Sequence, residues 1–191
     1  MEWLRDKIDD LRQDNHYNNS FVPKDELDKA ITLEAVWRVL RESKIEEHKH
    51  QDIAQSIIGG TLRIFAVLVR IGYVESISDF IRSDQFQSGS SLDQRLPFNK
   101  EYLSSILPEK IATKFYKEQW EYAAPVLSRS ILPRDLDDKA ILPILHEKHI
   151  TDGGFGAVFE ITLHSAHHCF ASKDNKVIVP FRGIKDIVNL F

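Results

Sequence analysis

Apolar residues in the first 80 positions recur at the three- and four-residue spacing of an α-helix, with polar residues between them. The first helix is predicted from Trp3, Leu4, Ile8 and Leu11. The polar tract 13–20 ends it, so we expect this helix to be loosely attached. A second helix is predicted from Leu33, Val36, Trp37 and Leu40, with Thr32 as its N-cap. The same pattern continues from Ile53 to Ile71, where Gly59-Gly60 is expected to divide it into two helices.

Further helices are predicted on both sides of a polar segment. Before it, Ile77, Phe80 and Ile81 predict a short helix, and the segment 83–94 has the Ser- and Gly-rich composition of a linker. After it, one helix is predicted around Tyr102, Leu103 and Ile106. Another is predicted from Ile111, Phe115, Tyr116, Gln119 and Trp120.

The period then changes from about 3.6 residues to two. Ala157, Phe159, Ile161 and Leu163 alternate with Val158, Glu160, Thr162 and His164, as in a half-buried strand. Strands are also expected at 145–150 and 177–181. The predicted fold is therefore mainly α with a small C-terminal antiparallel β-sheet, an α+β fold. We divide the chain into residues 1–20 (helix and loop), 21–130 (helical region, with the linker 83–94) and 140–191 (sheet).

Between the first two predicted strands lies a cluster of glycines, Gly153, Gly154 and Gly156, with Phe155 among them. Glycine has no Cβ, so such a segment lets backbone N–H groups approach a phosphate closely. The same residues also suit a plain β-hairpin turn. The sequence leaves both interpretations open.

The cluster resembles the phosphate loop of protein kinases. Ile150, Gly153, Phe155, Gly156 and Val158 match the kinase pattern, and Thr151 stands where its first glycine belongs. The resemblance implies nucleotide contacts from these residues, from Gly154 and from a lysine on the next strand. We take Lys185 as that lysine, since the competing register, 177–180, has Pro180 at the lysine position.

More of the chain, from about residue 31 to 170, resembles the fungal serine/threonine kinase-like proteins that carry a helical region before the kinase domain. The residues that carry this likeness are 62–72, 96–98, 119–126, 141–144, 161–164 and His167-His168. The resemblance implies a helical pre-kinase region followed by part of a kinase N-lobe, and a family that phosphorylates Ser or Thr using ATP and magnesium. Only 32 residues follow Phe159. The family's catalytic Asp and magnesium ligands have no counterpart among them, so no catalytic residue is assigned.

Composition limits the binding partners and the cellular compartment that we expect. A formal charge of −4 and a pI near 6.1 give no basic footprint for nucleic acid or an anionic membrane surface. Cys169 is the only cysteine, so we expect a reducing compartment. The N-terminus has no signal-peptide pattern, and the longest apolar run, 64–69, is shorter than the ~20 residues that cross a bilayer. We therefore expect an intracellular protein, cytoplasmic or nuclear, that contacts neither nucleic acid nor membrane.

One further cluster contains side chains of the kinds that bind zinc. His164, His167, His168 and Cys169 offer nitrogen and sulfur ligands, but no second group of His or Cys completes a zinc site. We expect a surface loop there and no metal.

Two functions remain open. The first is a truncated protein kinase-like protein that is inactive on its own and binds no cofactor tightly, with ATP and magnesium implied only by the resemblance. The second is a non-catalytic module that binds a protein partner through its helical region, with the glycine hairpin as scaffold.

Overall fold

The computed structural model describes residues 1–84, 91–128, 137–153, 156–170 and 173–181. Contacts divide the chain into two units. Unit 1 comprises Met1–Leu11 and Asp25–Ala123, and unit 2 comprises Arg12–Lys24 and Ala124–Phe191. This grouping differs from the three segments expected from the sequence, because residues 12–24 belong with the C-terminal strands.

The α-helices in the described residues are α1 (Glu2–Asp9), α2 (Lys24–Ala30), α3 (Leu33–Glu42), α4 (His50–Ser56), α5 (Leu62–Ile71), α6 (Ile77–Asp84), α7 (Lys100–Ile106) and α8 (Glu109–Glu118). The strands are β1 (Gln13–Asp14), β2 (Ser20–Phe21), β3 (Ile144–Gly153), β4 (Gly156–Leu163) and β5 (Lys176–Phe181). The prediction of a mainly helical fold with a small C-terminal antiparallel sheet is confirmed.

Helix α5 lies at the centre of unit 1. All six residues from Ile64 to Val69 are buried, as expected for a helix that is apolar on every side. A π-helical segment, Ile57–Thr61, connects α4 to α5, and Gly60 within it has φ 154°, so the predicted break at the glycines is found. At its other end α5 stops at Gly72, which has the left-handed φ of 77° typical of a helix C-terminus.

The stretch from Glu47 to Ile71 runs through both helices. Counted as one span across the break at Gly60, it is the one stretch in the described residues that is long and apolar enough to cross a membrane. However, 56% of its most apolar window is buried inside the structure, and core helices of globular proteins meet the same criterion. The length and composition of this stretch are therefore only weak evidence for a membrane span.

The residues of α3 differ in part from the prediction. Thr32 caps this helix as expected, since its Oγ1 accepts a hydrogen bond of 3.2 Å from the Ala35 amide. Val36 and Leu40 are fully buried, but Leu33 is 50% exposed. The predicted helix is found, but its first residue lies at the surface although it shares the apolar spacing.

Helix α1 is not loosely attached. Leu4 and Ile8 are completely buried, and the Arg5 side chain donates to the carbonyl oxygen of Val69 in α5. The polar tract that follows the helix is part of unit 2, so a change of unit, rather than a loose end, separates the two segments.

A linker was predicted at 83–94, of which residues 85–90 lie outside the described residues. For residues 91–94 the prediction is wrong. Residues Leu92–Arg95 form a 3₁₀ turn in which Leu92 and Asp93 are buried. The Asp93 carboxylate accepts hydrogen bonds from the amides of Arg63 (2.8 Å) and Ile64 (3.0 Å), the first turn of α5. The segment therefore caps a core helix, which its polar composition does not reveal.

The described residues of unit 2 form two antiparallel β-sheets. Strands β1 and β2 pair Gln13 with Phe21, and the order in the larger sheet is β3-β4-β5. Its core consists of Leu127, Leu142, Ile144, Ile161 and Leu163. As the alternation predicted, Ile161 and Leu163 are completely buried and Phe159 packs against the same core.

Candidate functional site: the glycine hairpin

The glycine cluster connects β3 to β4. The two strands pair up to Gly153 opposite Gly156, so only two residues separate the paired strands. These two residues, Gly154 and Phe155, lie outside the described residues. The hairpin is thus paired to its tip, a geometry that both a phosphate loop and a structural turn could use.

Two of the apolar site residues lie on the strands near the tip. The pairing of β3 with β4 shifts by one residue between His149 and Thr151, which leaves Ile150 without a partner across the ladder and 47% exposed. Val158 pairs with Thr151 and is partly buried. Thr151, the residue that departs from the kinase pattern, is therefore a strand residue opposite Val158.

The lysine expected on the third strand is a separate question. Strand β5 pairs with β4 so that Pro180 lies opposite Val158 and Lys176 opposite Thr162, at the end away from the turn. The Lys176 ammonium donates to the Glu160 carboxylate at 3.0 Å, and this hydrogen bond lowers the pKa of Glu160. Lys176 is therefore already paired. Lys185 lies outside the described residues.

The charge beside the turn is negative. Asp152 is next to Gly153, its side chain is 84% exposed, and its Oδ1 lies 3.0 Å from Nε2 of His149. No Lys or Arg occurs at positions 149–153, 156–160 or 178–181, the strand residues nearest the turn. These strand positions offer a phosphate no opposing charge from a lysine or arginine.

A partly buried carboxylate–phenol pair ties the N-terminal segment of unit 2 to β3. The Tyr17 hydroxyl donates to the Glu147 carboxylate, and burial together with this bond raises the pKa of Tyr17. Nearby, Asn15 donates to the carbonyl of Leu142 at 2.9 Å. Sequence reasoning missed both contacts, since the partners are more than 120 residues apart.

The histidine cluster has a structural arrangement. His164 and His167 are buried and each makes an edge-to-face contact with the Phe21 ring, at centroid distances of 5.7 and 5.5 Å. His167 accepts from the Lys24 amide through Nε2 (3.1 Å), and its Nδ1 lies 3.2 Å from the Pro125 carbonyl oxygen. The prediction of a surface loop is wrong for these two residues, because their rings fill the core around Phe21.

The remaining members of the cluster do not join them. Cys169 is exposed, and His168 pairs through Nε2 with the side chain of Asn175 at 3.0 Å. Within the described ranges, no three His, Cys, Asp or Glu side chains are grouped so that they could hold a metal ion.

Comparison with known proteins adds no assignment. The chain matches no family model, no curated protein and no solved structure.

Proposed function

We propose that this chain is a protein kinase-like protein, a helical region followed by the first strands of a kinase-type N-lobe, and that it transfers no phosphate on its own. The observation that supports the proposal is the hairpin of β3 and β4, closed by Gly153 and Gly156, with β5 paired antiparallel to β4. A kinase requires a glycine-rich loop that covers the phosphates and a lysine on the third strand. In this proposal the connection between β3 and β4 corresponds to the glycine-rich loop, and β5, the next strand in the chain, corresponds to the third strand of a kinase.

The charges argue for weak nucleotide binding. Lys176 is bonded to Glu160, Pro180 occupies the strand position opposite Val158, and Asp152 adds a negative charge beside the turn. Backbone amides alone supply hydrogen bonds worth about 0.5–1.5 kcal/mol each. Micromolar affinity requires about 8 kcal/mol. We therefore expect the isolated chain to bind Mg-ATP with a dissociation constant well above micromolar.

Calorimetric titration of the 191-residue chain with Mg-ATP tests this expectation. The site variants are Gly156→Asp and Lys185→Met. The control is Gly59→Asp, because Gly59 lies in unit 1 and a Cβ there meets nothing within 4 Å. If the native chain and the control bind Mg-ATP with micromolar affinity and both site variants do not, the expectation of weak nucleotide binding is overturned.

The kinase relationship has its own test, which is the transcript beyond the codon for Phe191. A continuing reading frame with His-Arg-Asp and Asp-Phe-Gly type motifs would support it. A transcript that encodes an unrelated domain would count against it.

A second candidate function is protein binding by unit 1, without nucleotide chemistry. The observation in its favour is an apolar surface on α3, where half-exposed Leu33 adjoins the partly buried Trp37 ring. Arg38 and Arg41 line the same groove together with Glu34. Two cations beside an apolar strip suit an amphipathic segment whose polar face carries carboxylates.

Binding of a synthetic acidic amphipathic peptide, followed by fluorescence anisotropy, tests this candidate. Leu33→Asp should weaken binding at least tenfold, because it places a negative charge in the apolar strip, where it repels the carboxylates of the peptide. Ile58→Asp is the matched control, since Ile58 is 45% exposed but does not line the groove. Equal affinity for the native chain and Leu33→Asp would exclude this face.

A further inference from the structure

A cleft of about 490 Å³ opens on unit 1 between α1, α5 and α8. Its charged lining residues are Arg5, Asp9, Arg70, Lys114, Lys117 and Glu118, with Ile71 as an apolar contact. Four cations against two carboxylates give the cleft a net charge of +2, in a chain whose formal charge is −4. The cleft therefore concentrates positive charge that the whole sequence does not suggest.

The two carboxylates are already engaged. Arg70 contacts Asp9 through Nη1 and donates from Nε to Glu118 at 3.1 Å. Arg70 is only 18% exposed, so these two bonds fix a guanidinium group at the wall of the cleft. Both acidic groups are thus bound by Arg70. The other three cations of the lining have no carboxylate partner within it.

These three cations have contacts that leave their charge uncompensated. Arg5 donates from Nε to the Val69 carbonyl at 3.4 Å. The Lys114 ammonium lies 5.0 Å from the centroid of the Tyr73 ring. Across the part of the chain that the structure describes, Arg5, Lys114 and Lys117 have no ion pair with a carboxylate.

We propose that this cleft binds a phosphate monoester dianion. A charge of −2 balances the net charge of the lining, and phosphate oxygens accept hydrogen bonds from guanidinium and ammonium groups together. The apolar side chain of Ile71 in the lining can contact the carbon to which the phosphate is attached. The ester can be a small molecule or a phosphorylated Ser or Thr side chain, since both present the same group.

The helices favour this arrangement. Lys114 and Lys117 are exposed on α8 and are separated by three residues, so both ammonium groups lie on one side of the helix. Because both side chains are exposed, water solvates the two ammonium groups and little free energy is needed to keep them charged. A bound dianion would replace that water with charge-assisted hydrogen bonds.

Heteronuclear NMR titration of the full chain tests the proposal, with inorganic phosphate, O-phosphoserine and a phosphoserine peptide as probes. Resonances of α1, α5 and α8 should shift with each probe. A peptide that binds more than about tenfold tighter than O-phosphoserine would identify a protein source, and similar affinities a small-molecule source.

The double variant Lys114→Gln/Lys117→Gln should weaken binding at least tenfold. Lys110→Gln is the matched control, because Lys110 is exposed on the same helix but does not line the cleft. Affinity should also fall as salt rises. The proposal is refuted if no probe shifts these resonances up to about 10 mM, or if Lys110→Gln weakens binding as much as the double variant.

Discussion

Gln119 is completely buried, yet it is a polar residue in an apolar helical pattern. Its side-chain amide forms two hydrogen bonds with the backbone of one residue, Phe98. The Phe98 amide donates to Oε1 at 2.8 Å, and Nε2 donates to the Phe98 carbonyl at 2.9 Å. The side chain therefore completes the hydrogen bonds of a buried loop, in the way that a neighbouring strand would.

The substitution Gln119→Met keeps the length of the side chain and removes both bonds. It leaves the Phe98 N–H and C=O buried without partners, and each such group costs about 1–3 kcal/mol. We expect the free energy of unfolding of unit 1 to fall by about 2–5 kcal/mol, a large share of the stability of a typical domain. Gln51→Met, an exposed position on α4, should change it by less than about 0.5 kcal/mol.

Urea unfolding followed by tryptophan fluorescence is the assay, because all three tryptophans, Trp3, Trp37 and Trp120, belong to unit 1. The fluorescence signal therefore reports on the unit that contains Gln119. Equal losses of stability in the Gln119 and Gln51 variants would refute the reasoning.

A second variant, Gln119→Glu, adds a dependence on pH. The ionised carboxylate can accept from the Phe98 amide but repels the Phe98 carbonyl oxygen, whereas the protonated acid can donate to that oxygen. Burial against a carbonyl therefore raises the pKa of the new carboxyl in the folded state above its ordinary value of about 4.3. The stability deficit relative to the native chain should grow as pH rises from 4 to 7. A deficit independent of pH would contradict the assigned geometry.

Three further predictions use the same urea assay. Trp120, which is 8% exposed, anchors the end of α8, so Trp120→Ala should cost about 3–5 kcal/mol, and an unchanged midpoint would show that its packing contributes little. Asp93→Ala removes the cap of α5 and should cost about 1–2 kcal/mol; because burial raises the pKa of Asp93 in the folded state, the cost should be larger near pH 4 than at pH 7. A cost that increases with pH would contradict this. Tyr122→Phe should leave stability unchanged or raise it by about 1 kcal/mol, because the buried hydroxyl has no hydrogen-bond partner in the described residues, and a loss above about 1 kcal/mol would reveal one.

The sequence predicted the elements that depend on local pattern. The apolar run at 64–69 lies in a buried helix, Thr32 caps α3, and the alternation from 157 to 163 forms a strand. Local spacing reports which residues share a face of a helix, but not how far its neighbours cover that face. For this reason the exposure of Leu33, at the start of α3, could not be read from the sequence.

Contacts between distant segments explain the other failures. Asp93 was assigned to a linker because its neighbours are polar, but its carboxylate caps a helix that begins 31 residues earlier. Likewise the rings of His164 and His167 contact each other and Phe21, which is more than 140 residues away in the sequence. A side chain that satisfies a remote backbone group leaves no periodic signal in the sequence.

The candidate site was predictable to a similar extent. Glycines between two alternating segments predicted the turn, and the pairing of Gly153 with Gly156 agrees with that prediction. Whether the turn binds a phosphate depends on which cation approaches it. That depends on the register of β5, which places Pro180 opposite Val158. The role of Lys185 stays a prediction.

The division of unit 2 between the two ends of the sequence has a consequence for synthesis on the ribosome. Phe21 and Val22 are almost completely buried in the finished fold, but the Lys24 amide bonds to His167, 143 residues later in the chain. At about 5–20 residues per second, the ribosome needs about 7–30 s to produce that partner. During this interval the nascent chain carries Phe21 before His164 and His167, which contact its ring in the finished fold, have been made. This early segment is therefore where a chaperone would be needed first.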